Sequence, residues 1–236
     1  MLFLNERFLC MKNISIILFL IGIFHFSGCE TAPLYRGYRW YRRGNYEQSI
    51  RTFTYYLEHS SDNSGNNEEE RAAAYFYRGL SKTELGRGQE AVTDYKEALS
   101  RVPDFFYASF NLGVEYVRQQ RYEMALQSFR TSWNSILKAR RGELDESRLW
   151  NRNVFQQDGA YCFYYYGITI VMCGKIDELD SLLREGEVFA FNDKNIFSAR
   201  EIFKRIVSES LTAEEGREFL KPKLEEIENG KVRCME

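Results

Sequence analysis

The sequence predicts an all-α protein, a solenoid of about four helical hairpins followed by helices that cap its C-terminal end. The main observation is a period of 34 residues, which separates three pairs of like residues: Gly79 and Gly113, Ala91 and Ala125, Tyr95 and Phe129. A repeated unit of this length with helical patterns is a helical hairpin, and stacked hairpins bury one another's faces. The composition agrees, because 44% hydrophobic residues suffice for a core and three prolines argue against a loop-rich fold.

The first 28 residues are predicted to be an export signal. Met11, Lys12 and Asn13 form a short positive start, and Met11 is a second candidate for the true initiator. The thirteen residues 14–26 that follow are almost wholly apolar. They are too few to span a bilayer comfortably as a helix, but they suit the apolar region of a signal peptide. We therefore assign residues 1–28 as the signal peptide.

The end of this segment, Phe26-Ser27-Gly28-Cys29, resembles a bacterial lipobox, in which an apolar residue and two small residues precede a lipidated cysteine. Phe26 departs from the usual leucine. The resemblance implies that residues 29–30 form a lipidated N-terminus, in which acyl chains such as palmitate on Cys29 anchor the chain to a membrane. The alternative is an ordinary cleaved signal peptide in which this cysteine is coincidental.

The residue after the predicted lipidation site bears on the compartment. Glu30 is not the aspartate that retains some lipoproteins in the inner membrane. By the same resemblance, the protein is expected in the bacterial cell envelope, facing the periplasm, with the outer membrane favoured over the inner membrane.

Residues 72–105 carry the clearest repeat. Counted from Ala72, small, aromatic and proline residues occupy positions 8, 20, 24, 27 and 32: Gly79, Ala91, Tyr95, Ala98 and Pro103. This pattern resembles the tetratricopeptide repeat, whose fold is a right-handed superhelix of antiparallel helix pairs. Small residues let the two helices approach closely, and the proline stops the second helix. The segment departs from the pattern at position 11, where Lys82 stands, and at position 17, where Gly88 stands.

Three more segments fit the same frame less closely: 31–59, 106–137 and 160–190. Gly37 and Phe53 occupy positions 8 and 24 of the first, and Gly167 and Leu183 occupy them in the last, which is the weakest. The middle segment departs at position 27, where Trp133 is too large for the usual tight contact. Its second helix is therefore expected to splay or to pack against something new.

Two insertions interrupt the period, a polar one at 60–71 and a charged one at 138–159. The second is interpreted as an extension of a helix plus a structured loop. Apolar residues at helical spacing predict two further helices in the C-terminal segment 191–236, which would cap the solenoid. These helices span residues 195–208 and 213–228, and Pro222 is expected to kink or divide the second.

The candidate binding surface also follows from the resemblance. The first helix of each tetratricopeptide hairpin lines a concave face, and most of the side chains placed there in this chain are aromatic: Tyr38, Tyr41, Phe76, Tyr107, Phe110, Tyr161 and Tyr164. Tyrosine and phenylalanine provide large contact areas at low entropic cost, so one interpretation is an open partner-binding groove. The other is plain core, because a tight superhelix or C-terminal helices that fold back would bury the same residues.

The sequence argues against several functional classes. A net charge of −2 gives no basic excess for nucleic acid. The five cysteines form no C-x-x-C pair, so neither a metal nor any other cofactor is expected. No catalytic signature is present, so an enzyme is not expected.

The leading hypothesis is a membrane-anchored scaffold or adaptor that binds an envelope protein or peptide segment. The alternative is a small apolar ligand-binding protein associated with a transporter.

Overall fold

The computed structural model describes residues 33–60, 68–144, 155–187 and 194–228. Ten helices and no strand lie within these ranges, which confirms the predicted all-α fold. Consecutive helices pack against each other in order, as in a helical-repeat solenoid. The helices are α1 (Pro33–Arg42), α2 (Tyr46–His59), α3 (Glu68–Glu84), α4 (Gly88–Arg101), α5 (Phe106–Arg118), α6 (Tyr122–Arg140), α7 (Phe155–Met172), α8 (Ile176–Gly186), α9 (Lys194–Ser208) and α10 (Ala213–Glu228).

Several sequence predictions fall outside the described residues. They include the signal peptide 1–28, the predicted lipidation site Cys29 and part of each insertion, residues 61–67 and 145–154. The described part of the first insertion begins α3 at Glu68, and that of the second extends α6 to Arg140. None of the helices in the described ranges is both long enough and apolar enough to cross a membrane.

The hairpin turns are tight and need left-handed backbone. Gly44, Gly86 and Gly174 have φ of 73°, 72° and 74° between the paired helices, a region that glycine enters without steric cost. In the third hairpin Gln120 takes this conformation instead, with φ 57°. Short turns of this kind keep the two helices of each pair antiparallel and adjacent.

Three hairpins share one close contact between a glycine and an aromatic ring sixteen residues later. A methyl group on the glycine would lie 2.7, 2.7 and 2.6 Å from the ring in these pairs: Gly37 and Phe53, Gly79 and Tyr95, Gly113 and Phe129. Real Cβ atoms do not approach carbon so closely, so each glycine is required for the ring to pack against the helix backbone. The close approach predicted from the small residue at position 8 is thus observed in three of the four hairpins, and the ring at position 24 makes the contact.

The fourth hairpin departs from the prediction. The ring that closes on Gly167 belongs to Phe203 of α9, and not to α8, where Leu183 was expected to serve. Within the hairpin the contact is reversed, because Phe163 of α7 packs against Gly186 of α8. A leucine lacks the length to fill the gap over Gly167, and an aromatic residue from the next helix fills it instead.

Trp133 makes the new contact that its size predicted. Its side chain is buried, and its ring lies 6.3 Å from that of Phe163 on the next hairpin. The indole Nε1 donates a hydrogen bond of 2.6 Å to Glu185 Oε2. The oversized residue at position 27 therefore joins α6 to both helices of the fourth hairpin.

The C-terminal helix α10 folds back over the solenoid instead of extending it. It packs against α7, α5 and α9. Leu220 is fully buried, and a methyl group on Gly216 would lie 3.0 Å from Val171 and 3.2 Å from Ile206, closer than an ordinary van der Waals contact. The helix continues through Pro222 to Glu228, so the predicted division at this proline is wrong. Only α9 takes the place of a capping helix after α8.

The central helix α5 shows the consequence of this arrangement. Twelve consecutive residues, 106–117, are buried, which requires neighbours on every side of the helix. The adjoining helices α4, α6, α7 and α10 provide them. The C-terminal two thirds of the molecule therefore share one core, and a second, smaller core lies between α2 and α3 around Phe53 and Tyr56.

Candidate interaction surface

The first helices of the hairpins, α1, α3, α5 and α7, form the inner layer of the solenoid, and α10 covers only part of it. We call the α1–α3 portion the N-terminal inner surface and the α5–α7 portion the C-terminal inner surface. Because α10 packs against α5 and α7, the C-terminal inner surface is covered by the chain itself. The N-terminal inner surface retains half-buried side chains, including Leu34, Tyr38 and Tyr77.

Five of the seven predicted binding residues are core in this structure, and the groove interpretation is wrong for them. Their exposed fractions are 1–6%: Tyr41, Phe76, Tyr107, Phe110 and Tyr164. Phe110 illustrates the reason, since its ring packs at right angles to Tyr165 at 5.1 Å and lies 5.5 Å from Phe129. The core interpretation therefore applies to these five residues. Tight packing between hairpins and the folded-back C-terminal helices account for the burial.

The other two predicted residues, Tyr38 and Tyr161, are half-buried. Tyr38 lies on the N-terminal inner surface, where Arg42 donates a hydrogen bond of 3.4 Å to its hydroxyl. Tyr161 lies on α7 and packs against the main core. Contact of either residue with a partner stays a prediction.

Tyr77 is a half-buried residue of this surface that was not among the seven predicted binding residues. Its ring lies 5.1 Å from Tyr38, 5.8 Å from Tyr41 and 5.2 Å from Phe76, so it joins α1 to α3. It occupies position 6 of its repeat. The signal available was the run of three aromatics at 75–77, which presents a ring to each side of the helix.

A buried ion cluster holds α2, α3 and α4 together beneath this surface. The Asp94 carboxylate is 1% exposed and accepts hydrogen bonds from Arg78 at 2.7 and 3.0 Å. Lys82 Nζ lies 2.9 Å from the same carboxylate, and Arg78 also donates to Thr54 Oγ1 at 3.2 Å. Lys82 thus replaces the usual aromatic of position 11 with a cation paired to Asp94.

A second buried carboxylate explains the other departure in this repeat. Glu115 is 4% exposed and accepts hydrogen bonds from Thr83 at 3.0 Å and Arg118 at 2.7 Å. A methyl group on Gly88 would lie 2.5 Å from Glu115 Oε2. Position 17 therefore carries glycine because a carboxylate from the next hairpin approaches the start of α4. Both buried carboxylates have cationic partners, which marks them as structural.

The contact between α2 and α3 includes a tyrosine whose pKa is strongly raised. Tyr56 donates a hydrogen bond of 3.0 Å to Glu70 Oε2. Burial of the ring, followed by the hydrogen bond to this carboxylate, raises the pKa of Tyr56 to about 12. The phenol stays protonated, so the group serves as a donor and not as a general base. The described residues contain no cluster of His, Cys, Asp and Glu side chains that could hold a metal ion.

The face of α1 that points away from the core is basic and aromatic. Residues 33–43 contain four arginines and no acidic residue. Tyr35 is 44% exposed, and the guanidinium of Arg43 lies 5.9 Å from the ring centroid of Trp40. This face adjoins the N-terminal inner surface and differs from it in chemistry.

The comparisons with known proteins agree with the repeat geometry. Residues 73–104 match the family model of the tetratricopeptide repeat, which covers α4 and most of α3. A search of curated proteins finds no match to the chain. The α3–α4 hairpin, with its close contact between Gly79 and Tyr95, is the segment that carries the family pattern. The match supports a protein of the tetratricopeptide-repeat family, in which such repeats serve protein–protein interaction and are generally not enzymatic.

Proposed function

We propose that the protein is a membrane-anchored interaction scaffold of the bacterial cell envelope, which binds a segment of a partner protein on its N-terminal inner surface. One observation carries the proposal. The chain covers the C-terminal inner surface with its own helix α10, whereas Leu34, Tyr38 and Tyr77 on the N-terminal inner surface stay half-buried. Partly exposed tyrosines at such a face provide contact area for a partner.

The packing of α10 indicates what kind of segment such a surface accepts. On its buried face α10 presents Gly216 and Leu220, four residues apart, while its other faces are largely charged. The partner segment is therefore expected to be an amphipathic helix with a small residue and a large aliphatic residue at this spacing. Because α1 and α3 are also neighbouring inner helices, the N-terminal inner surface offers a similar docking surface for a helix.

The anchor and the compartment rest on the sequence. The lipobox-like segment that ends at Cys29 supports lipidation of that residue, and the preceding apolar residues support export. Glu30 favours the outer membrane over the inner membrane. In this proposal the solenoid faces the periplasm and is held close to the bilayer by the acylated N-terminus.

The alternative of a small apolar ligand in an aromatic pocket has less support. The aromatic side chains that would line the pocket, such as Phe110 and Tyr164, pack against other side chains of the protein. No observation in the described part of the chain favours a solute over a partner helix.

Acylation of Cys29 can be tested in cells with a clickable palmitate analogue. Labelled protein is expected from the wild-type gene, and no label is expected from the Cys29→Ser variant. A wild-type protein that fractionates with the membrane but carries no label would contradict the anchor.

The binding surface can be tested by photo-crosslinking in intact cells. A photoreactive phenylalanine at position 38 is expected to trap one envelope protein. The matched control places the same residue at Tyr55, which is 57% exposed on α2. Equal trapping from both positions, or none from position 38, would contradict the assignment of the surface.

A further inference from the structure

The first helix of the solenoid has two unlike faces. Gly37 and Tyr41 face the protein and are buried. Arg36, Arg39 and Arg43 follow at intervals of three and four residues, so they share the opposite side of the helix. That side has no preceding hairpin in the described part of the chain, since α1 packs against α2 and α3. It forms one end of the molecule, which we call the arginine face.

Aromatic residues border the arginine face. Tyr35 is 44% exposed on one edge, and Trp40 lies on the other beneath the guanidinium of Arg43. Arg42 covers the ring of Tyr38 at 6.0 Å from its centroid. Arginine with tyrosine and tryptophan is the combination found where a protein meets the headgroup region of a bilayer.

The chain itself places this face near a membrane, if the anchor of the proposed function holds. Only three residues lie between Cys29 and Pro33, the first residue of α1, so four residue-to-residue steps join them. A chain of that length spans at most about 14 Å when fully extended. With acyl chains on Cys29 in the bilayer, the start of α1 therefore lies within about 14 Å of the anchoring residue.

The helix at the N-terminal end carries charge of one sign. α1 contains three arginines and no acidic residue, whereas α9 and α10 each contain both basic and acidic residues. A solenoid needs a polar helix at each end for solubility, but mixed charges such as those of α9 meet that requirement. A helix of one sign beside a lipid anchor fits an anionic surface instead, because that surface attracts basic residues.

We infer that the arginine face binds the phosphate groups of anionic phospholipids in the leaflet that holds the anchor. The inference rests on the proposed lipidation and goes beyond it. The acyl chains keep the protein at the bilayer, and the arginine face fixes its orientation there. α1 then lies along the headgroups.

The test uses the full-length lipidated protein reconstituted into vesicles, with hydrogen exchange measured for residues 33–43. Exchange is expected to be several-fold slower on vesicles of phosphatidylethanolamine with phosphatidylglycerol than on vesicles with phosphatidylcholine instead. The difference is expected to shrink in 0.5 M salt, because salt screens contacts to exposed charges.

Three variants separate charge from folding. Replacing the four arginines of residues 33–43 with glutamine is expected to abolish the difference between the two vesicle types. Replacing the same four with lysine is expected to retain most of it, which shows that the helix still folds. The matched control removes four exposed basic residues elsewhere, Arg184, Lys204, Arg205 and Lys221, and is expected to change nothing.

The outcomes are distinct. Equal exchange on both vesicle types, in a protein whose mass shows acylation at Cys29, would overturn the arginine-face inference and leave the proposed function intact. A difference that survives the glutamine variant would also overturn it. Equal exchange on both vesicle types that slows on addition of an acidic peptide would overturn the inference and assign the face to a protein partner. Absence of the acyl mass would overturn the anchor and, with it, both proposals.

Discussion

The N-terminal and C-terminal inner surfaces are built from the same repeat but end in different states. Both use a glycine against an aromatic ring to bring paired helices together, as at Gly37 and at Gly113. At the C-terminal inner surface, α10 packs against α5 and α7, and Phe110 and Tyr164 are buried. At the N-terminal inner surface no helix of the described chain takes that place, and Tyr38 and Tyr77 remain half-buried.

This difference teaches that repeat geometry does not decide whether an aromatic concave face is a binding site. Aromatic residues of the same layer are core where neighbouring side chains enclose them, as at Phe76 and Phe110, and half-buried where they do not, as at Tyr38. The two regions also differ in what holds them together. An ion cluster around Asp94 supports the N-terminal surface, whereas ring–ring contacts support the C-terminal one.

The largest expected effect on stability distinguishes the main core from the smaller core around Phe53. Phe129 and Phe53 occupy the same repeat position, and neither is exposed. Phe129→Ala is expected to lower the free energy of unfolding by about 4 kcal/mol, because it leaves a cavity in the main core. Phe53→Ala is expected to cost about 3 kcal/mol and to loosen mainly α1 and α2, since its cluster is smaller. Urea unfolding with hydrogen exchange measures both, and equal loosening of α5–α8 in the two variants would contradict the division.

The next largest effect on stability tests whether α10 covers the C-terminal inner surface. Leu220→Ala is expected to cost about 3 kcal/mol and to raise hydrogen exchange in α5 and α7, because the helix loses its buried anchor. Exchange in α1 and α3 is expected to stay unchanged. The control is Lys221→Ala at the exposed neighbouring position. Unchanged exchange in α5 after Leu220→Ala would show that α10 does not close the surface.

The repeat pattern predicted much of the fold, for a physical reason. Close helix contacts need small residues at fixed positions, so spacings in the sequence report them, as at Gly79 and Tyr95. The helices at 195–208 and 213–228 were likewise visible as amphipathic patterns, within one residue of α9 and α10. An amphipathic pattern states that a face is buried but not against what. The return of α10 to the inner surface could not be read from it.

The same limit applies to the candidate site. The sequence placed seven aromatics on the inner layer but could not decide whether they were groove or core, because Phe110 looks the same in either. It also left Tyr77 out of the seven candidate binding residues. At Gly167 the expected partner was within the hairpin, whereas the actual one, Phe203, lies 36 residues away on α9.

A smaller effect is expected from the ion cluster of the N-terminal half. Asp94→Asn leaves Arg78 and Lys82, 17% and 12% exposed, without their carboxylate. The expected loss is about 2 kcal/mol, below the range for fully buried pairs because water reaches both cations. Glu90→Gln, at an exposed carboxylate 3.8 Å from Lys82, is the control and is expected to cost under about 0.5 kcal/mol. Thermal unfolding of both variants checks the order.

The smallest effect concerns the start of α10. Thr212 and Glu215 form a capping box, in which the Thr212 backbone N–H donates to Glu215 Oε2 at 2.8 Å and the Glu215 backbone N–H donates to Thr212 Oγ1 at 3.3 Å. Thr212→Ala is expected to cost about 1 kcal/mol. Hydrogen exchange specific to α10 measures this loss, and a loss spread evenly over all helices would contradict a local cap.

The same box gives α10 a dependence on pH. The hydrogen bond from the Thr212 backbone lowers the pKa of Glu215. The ionised Glu215 carboxylate therefore stabilises α10 above the usual pKa of a glutamate. This stabilisation is lost as the pH falls through the lowered pKa of Glu215. Exchange in α10, corrected for intrinsic rates, is expected to rise in acid in the wild type. The Glu215→Gln variant is expected to lack this step.

The central claim, that one inner surface is open and the other closed by the chain itself, is tested most directly by hydroxyl-radical footprinting of the tyrosines. The structure predicts ready oxidation of Tyr38 and Tyr77, protection of Tyr107 and Tyr164, and loss of that protection in a Leu220→Asp variant. Oxidation of Tyr164 in the wild type at the rate of Tyr38 would contradict the claim. Protection of Tyr38 and Tyr77 in the purified protein would contradict it as well.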